Sequence, residues 1–141
     1  MNQSSSVTRT LALVLVASGL TSTLLVSRVG AAVPSPANST CPITVTVTSD
    51  GSCCFDVIVR DAANNPVPNS TVNVDFGDCR VTLCPVQPPG VTIQGNGVIA
   101  LTDAAGNAHF CVCGTFKGSC SSTIRADGIL LCTVPLKKKC P

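Results

Sequence analysis

The residues able to do chemistry are ten cysteines, seven aspartates and a single histidine, His109. There is no glutamate, so a general acid/base pair of carboxylates has to come from two aspartates. Most of these sit in turn-like stretches rich in Asn and Gly. His109, Cys111 and Cys113 alternate within one run, which places them on one face of a strand. A Cys–His pair of this kind can activate a thiolate as a nucleophile. The simpler assignment is a partly exposed strand histidine beside two oxidised cysteines. Cys53-Cys54 and Cys111-x-Cys113 are also candidate thiolate ligands. Zinc knuckles, however, usually separate their cysteines by about two to four residues. Adjacent strand residues point to opposite faces, which suits two different bridges better than one ion. Asp61 and Asp103 offer hard oxygen ligands for calcium, but neither turn supplies the several carboxylates of a tight site. The residues therefore point to a protein that is not an enzyme and uses no metal or cofactor. In it Cys41, Cys53, Cys54, Cys79, Cys84, Cys111, Cys113, Cys120, Cys132 and Cys140 are disulfide partners.

Disulfides require an oxidising compartment, and the N-terminus offers a route to one. Residues 1–32 read as a secretory signal peptide: Arg9 is the positive start, 11–26 the apolar stretch, and Gly30-Ala31-Ala32 the small residues before cleavage. The apolar stretch is short for a membrane-spanning helix. The membrane is therefore met only through this segment, before its removal. Every cysteine lies beyond it, and their even number suits complete pairing in a secreted or cell-surface protein. Ten cysteines allow about 900 complete pairings. Spacing is compatible with two local ones: Cys79 with Cys84 around a small loop, and Cys113 with Cys120 across a hairpin at 114–119.

Strands must position these side chains. Apolar and hydroxyl residues alternate over 43–48, placing Ile43, Val45 and Val47 on one face. After the Asp50-Gly51 turn, Cys53, Phe55, Val57 and Val59 form a second such face, and Val72, Val74 and Phe76 a third. Further strands are expected at 98–102, 108–113, 120–126 and 129–134. A brief one is expected at 91–93, within a proline-rich excursion over 79–97 that cannot belong to a central strand. No run carries a helical stripe. The expected core is Val45, Val47, Phe55, Val57, Val59, Val72, Val74, Phe76, Phe110, Val112 and Ile124. Asp61-Ala62-Ala63-Asn64-Asn65 and Asp103-Ala104-Ala105-Gly106-Asn107 share one turn chemistry, in which Asp accepts backbone N–H groups and Asn or Gly takes a positive φ. Short β-branched strands between such turns predict an all-β antiparallel sandwich of about seven to eight strands.

The stretch Arg60-Asp61-Ala62-Ala63-Asn64-Asn65-Pro66-Val67-Pro68-Asn69, followed by the alternating run to Phe76, resembles bacterial Ig-like domains of the invasin/intimin (Big-1-like) type. Thr102-Asp103-Ala104-Ala105-Gly106-Asn107-Ala108 is similar to that family's second landmark, and Gly118 with the strand at 122–126 to its closing element. The resemblance covers about residues 43–127. It implies an immunoglobulin-like β-sandwich and a non-catalytic spacer, stalk or adhesive unit. Carboxypeptidase regulatory-like domains share parts of both motifs.

The resulting plan is a signal peptide at 1–32, a Pro/Ser-rich linker at 33–42, an Ig-like sandwich at 43–136 and a basic tail at 137–141. Beyond residue 32 the four lysines and three arginines balance the seven aspartates, so no overall field steers an anionic partner. The absence of Trp and Tyr removes the stacking platforms of a nucleic-acid binder and of an ordinary lectin. Lys137, Lys138 and Lys139 read as a solvated tail, or more sharply as a contact for an anionic surface. The partner expected is another surface or extracellular protein. The alternative role is a small secreted binding or inhibitor-like protein.

Overall fold

A computed structural model describes residues 32–140. The apolar leader and its signal assignment lie outside the described residues, apart from Ala32. The described residues contain no helix and nine strands: β1 (Val45–Thr48), β2 (Cys54–Ile58), β3 (Thr71–Asp75), β4 (Val81–Leu83), β5 (Thr92–Gln94), β6 (Gly97–Leu101), β7 (Asn107–Phe116), β8 (Ser121–Ala126) and β9 (Ile129–Lys137). The runs of Val, Thr and Ile favour this pleated, half-buried backbone over a helix.

Pairing is antiparallel except at β1. One group runs β9-β8-β3-β6-β5, and another places β2 and β4 against the long β7. Between them β1 runs parallel to both β9 and β7, through Val45↔Leu136 and Thr46↔Lys137 on one side and Val47↔Val112 and Thr48↔Cys113 on the other. Side chains from both groups enter one hydrophobic core, and all eleven expected core residues lie in it. Its centre is Val and Phe: Phe55 stands opposite Phe110 in the β2–β7 ladder, and their rings stack with centroids 5.3 Å apart.

The chain departs from the sequence reading in four places. Ile43 was expected to share the buried face of Val45 and Val47 but is 90% exposed. The strand begins only at Val45, and 41–44 is a crossing segment rather than part of the ladder. Residues 33–42 do not form a free linker. Ser35 N–H donates to the Arg60 carbonyl at 2.7 Å, and Thr40 exchanges both backbone bonds with Ile58, so this segment lies antiparallel on the outer edge of β2. Its prolines suit an edge because they have no N–H to offer. The irregular excursion holds two short strands: β5 falls within a residue of the expected position, and β4 makes the ninth. The basic tail, finally, is not loose. Lys137 belongs to β9, and Cys140 is bonded to Cys53.

The two matching turns have one geometry. Asp61 Oδ1 accepts from the N–H of Ala63 (2.9 Å) and Asn65 (2.8 Å), and Asp103 Oδ1 from Ala105 and Asn107 (both 2.9 Å). The fourth residue of each, Asn64 and Gly106, has φ of 65° and 77°. Gly106 is further constrained by space. A Cβ there would lie 2.5 Å from the Val59 carbonyl oxygen, while the Gly106 carbonyl accepts the Val59 N–H at 2.7 Å.

Phe76 and Phe110 are fully buried. Each Phe→Ala change should lower unfolding free energy by about 3–5 kcal/mol, read from denaturant midpoints. Leu101→Ala, at an exposed position, should move it by no more than about 0.5 kcal/mol. Equal effects at all three positions would contradict the core assignment.

Candidate functional site

The densest group of reactive side chains lies on the outer face of the β2–β7 ladder. The register pairs Cys54 with Cys111 and Asp56 with His109, and alternation turns these four away from Phe55, Val57, Ala108 and Phe110. His109 Nδ1 lies 2.7 Å from Asp56 Oδ1, and Nε2 lies 3.3 Å from Cys111 Sγ. Cys54, His109 and Cys111 thus bring three ligand atoms within 4.8 Å of one another. Both sulfurs are already joined in the Cys54–Cys111 bridge. In this state neither is a thiolate, so the group has neither the nucleophile nor the soft ligands that the sequence raised. What remains is an exposed imidazole–carboxylate pair, with side chains 60% and 53% accessible.

All ten sequence-identified cysteines are paired: Cys41–Cys132, Cys53–Cys140, Cys54–Cys111, Cys79–Cys120 and Cys84–Cys113. Adjacent Cys53 and Cys54 face opposite ways, one buried and one exposed, and enter different bridges. The two local pairings are overturned. Cys79 and Cys84 flank β4, whose extended backbone separates them by roughly 16 Å at about 3.3 Å per residue. Cys113 and Cys120 do not face each other because β7 continues to Phe116 and β8 then joins β3 and β9 instead of folding back on β7. Each of the four instead reaches another element. Cys84 meets Cys113 beside the β4–β7 ladder, and Cys79 meets Cys120 just before β8.

Sequence reasoning missed Gln87. Its side-chain amide accepts the Cys113 N–H at 3.0 Å and donates to the carbonyls of Cys113 and Cys84, both at 2.9 Å. One side chain thereby substitutes for a strand beside β7 and seals the end of the β4 pairing. A lone Gln in a proline-rich loop carries no periodic signal, so nothing in the sequence marks it.

The aspartates are likewise engaged. Asp61 and Asp103 each spend a carboxylate oxygen on two backbone N–H groups and stand alone in their turns, which is turn chemistry rather than a multi-carboxylate cation site. The Asp61 carboxyl is held below its ordinary pKa of 3.8, chiefly by the Asn65 backbone N–H, then by the Asn65 side chain. Asp50 is lowered in the same way by the Ser52 backbone N–H.

No family model, curated protein or solved structure matches the chain. The class is therefore defined by the fold and the cysteines: an all-β protein with five disulfides. Such a bridge density is consistent with a disulfide-stabilised extracellular module and suggests an oxidising compartment.

Two outcomes follow. Proteolysis of the unreduced protein and mass analysis should recover peptides joined as Cys79–Cys120 and Cys84–Cys113; recovery of Cys79–Cys84 would overturn the arrangement. The stabilising contributions of Asp61 and Asp50 are complete above their ordinary pKa and lost as pH falls through the lower native values. Stability should therefore drop on acidification below about pH 4. Asp61→Asn, which keeps the acceptor but cannot titrate, should flatten part of that drop in denaturant midpoints taken across the range.

Proposed function

We propose that the chain is a secreted or cell-surface Ig-like β-sandwich module of the invasin/intimin type, with a structural or adhesive role and no catalytic one. The observation that carries this reading is the divided N-terminal edge. Residues 35–40 lie antiparallel on β2, and the chain then crosses so that β1 runs parallel to the last strand, β9. One short edge segment thus serves both strand groups, and both groups face one core, which supports two layers packed face to face.

The landmark motifs support the same reading because each has a structural task at one end of the molecule. Thr102 is buried. Its hydroxyl donates to the Val67 carbonyl at 2.6 Å and accepts the Ser70 N–H at 2.8 Å, tying the Pro66-Val67-Pro68 segment to the end of β6. Asn69 stands where a glycine is common in the family and takes φ of 57°, a conformation that Asn tolerates. A rigid, stapled, small-aliphatic domain of this kind suits a stalk or display role that withstands proteolysis and shear.

Expressed with its own leader in a bacterial host, the protein should reach the medium or the outer surface, begin close to Val33, and have an intact mass ten hydrogens below that of the reduced chain. Recovery only from the cytoplasm, with Met1 retained and thiols free, overturns the reading.

A further inference from the structure

The strongest unassigned feature is the end of the molecule around Phe116. Two shallow grooves meet at this buried ring. Lys137, Lys138 and Lys139 line one, and Arg80 and Lys117 the other. These are five of the seven lysines and arginines in the described residues, and all five side chains are exposed. The register explains the gathering. Val81 pairs with Phe116, which sets Arg80 beside Lys117, while Lys138 lies with Nζ 5.2 Å from the Phe116 ring centroid. The lysine run cannot drift away, because β9 holds it on one side and the Cys53–Cys140 bridge on the other. Among the described residues the one ion pair is His109–Asp56, so none of the five cations is paired with a carboxylate of those residues, and no aspartate lines the grooves at Phe116.

We propose that this basic end is a binding site for a polyanionic polysaccharide, sulfated or uronic-acid-rich, recognised by charge and hydroxyl contacts rather than by ring stacking. The proposal rests on the extracellular reading above and gives that module a partner. Nucleic acid is disfavoured because all four phenylalanines are buried, Trp and Tyr are absent, and His109 does not line these grooves, so no ring beside the cations can stack on a base. An anionic membrane is disfavoured because Val33, Ile43, Val86, Ile93, Leu101 and Leu130, the exposed large apolar residues among those described, do not line these grooves, leaving none of them to insert beside the charges. A folded protein partner would want aromatic anchors, and these grooves offer cations with small hydroxyls such as Ser119, Thr82 and Thr115. A charged glycan needs only the cations, fixed and spaced.

The test is binding of the oxidised protein to immobilised heparin and polygalacturonate. Neutral dextran, a short DNA duplex and phosphatidylglycerol vesicles serve as comparison probes. Binding to at least one charged glycan is expected at about 20 mM salt, weakening about tenfold or more by roughly 300 mM as screening shortens. Lys137→Gln/Lys138→Gln/Lys139→Gln should weaken it by about tenfold with the melting temperature unchanged, and adding Arg80→Gln/Lys117→Gln should abolish it. Arg60→Gln/Arg125→Gln, which removes two charges elsewhere, should leave it intact. No binding beyond dextran, equal loss in the Arg60/Arg125 control, or tighter binding to DNA or vesicles overturns the proposal. Failure to bind by a protein that is exported removes this site alone, whereas binding by a protein retained in the cytoplasm removes the extracellular reading and leaves the site.

Discussion

β1 makes two residue pairs with β9 and two with β7, all parallel, yet it is the element through which the two strand groups are joined. Four residues in parallel pairing are a weak joint. What secures it is covalent. Cys41, before β1, is bonded to Cys132 within β9, and Cys53, after β1 and directly before β2, is bonded to Cys140 in the segment that follows the same strand. The segment is clamped on both sides to the strand that it must accompany. β4 repeats the device on a smaller scale. It has three residue pairs with β7, with Cys79 bridged at one end and Cys84 at the other. Four of the five bridges thus flank the two shortest long-range joints, and the fifth crosses the β2–β7 ladder directly. In the usual model each adds about 2–4 kcal/mol by restricting the unfolded chain. Against a typical domain stability of about 5–15 kcal/mol, that is decisive for a core built mainly of valine.

The opposite end of the body is held by polar groups instead. Ser70 and Thr102 are buried, and both hydroxyls are used. Ser70 Oγ donates to Asp127 at 2.8 Å, and the second Asp127 oxygen accepts the Thr71 N–H at 2.9 Å. Asp127 itself sits in the two-residue β8–β9 turn with Gly128, both at positive φ, as a tight hairpin of the primed type requires. One carboxylate therefore ties the last hairpin to the start of β3, and one hydroxyl ties β6 to the Pro66–Pro68 segment. A buried polar network is favourable only when its members are satisfied, and these are. Disulfides close the structure where strands are short, and hydrogen-bonded turns close it where chain reversals crowd together.

Strand positions were legible because the alternation at Val45, Val47, Phe55, Val57, Val72 and Val74 has a direct physical cause: one face must be buried. The two Asp turns were legible for the same kind of reason, since a side-chain acceptor and a residue tolerant of positive φ form a local, self-contained motif. What was not legible is long-range. Ile43 continues the alternation of β1, but whether it is buried depends on where the chain leaves the edge of β2, which no local pattern encodes. β4 lies among prolines and cysteines and exists because β7 runs on to Phe116 and offers a free edge. The disulfide partners depend on that same pairing, so spacing favoured contacts within a loop where the fold makes them between elements. The Cys54–His109–Cys111 cluster could be anticipated only in part: the face of His109 was readable, whereas its neighbour Asp56 comes from the register of another strand.

The charges follow from the same division of labour. Beyond residue 32 the chain is neutral in sum, yet its carboxylates and its cations have different occupations. Asp50, Asp61, Asp75, Asp103 and Asp127 each accept at least one backbone N–H, and Asp56 faces His109. Six of the seven aspartates are thus committed to shaping turns or to a neighbour on the ladder. Arg60 and Arg125 are used comparably, donating to the carbonyls of Asn64 and Gly128. Lys117, Lys137, Lys138, Lys139 and Arg80 have no such task, and they collect at the end where the last strand, β4 and the Cys53–Cys140 bridge converge. A segment neutral in sum therefore folds with its charge unevenly placed, because acids serve as acceptors in its turns while its lysines are held together at one surface with their charge directed outward.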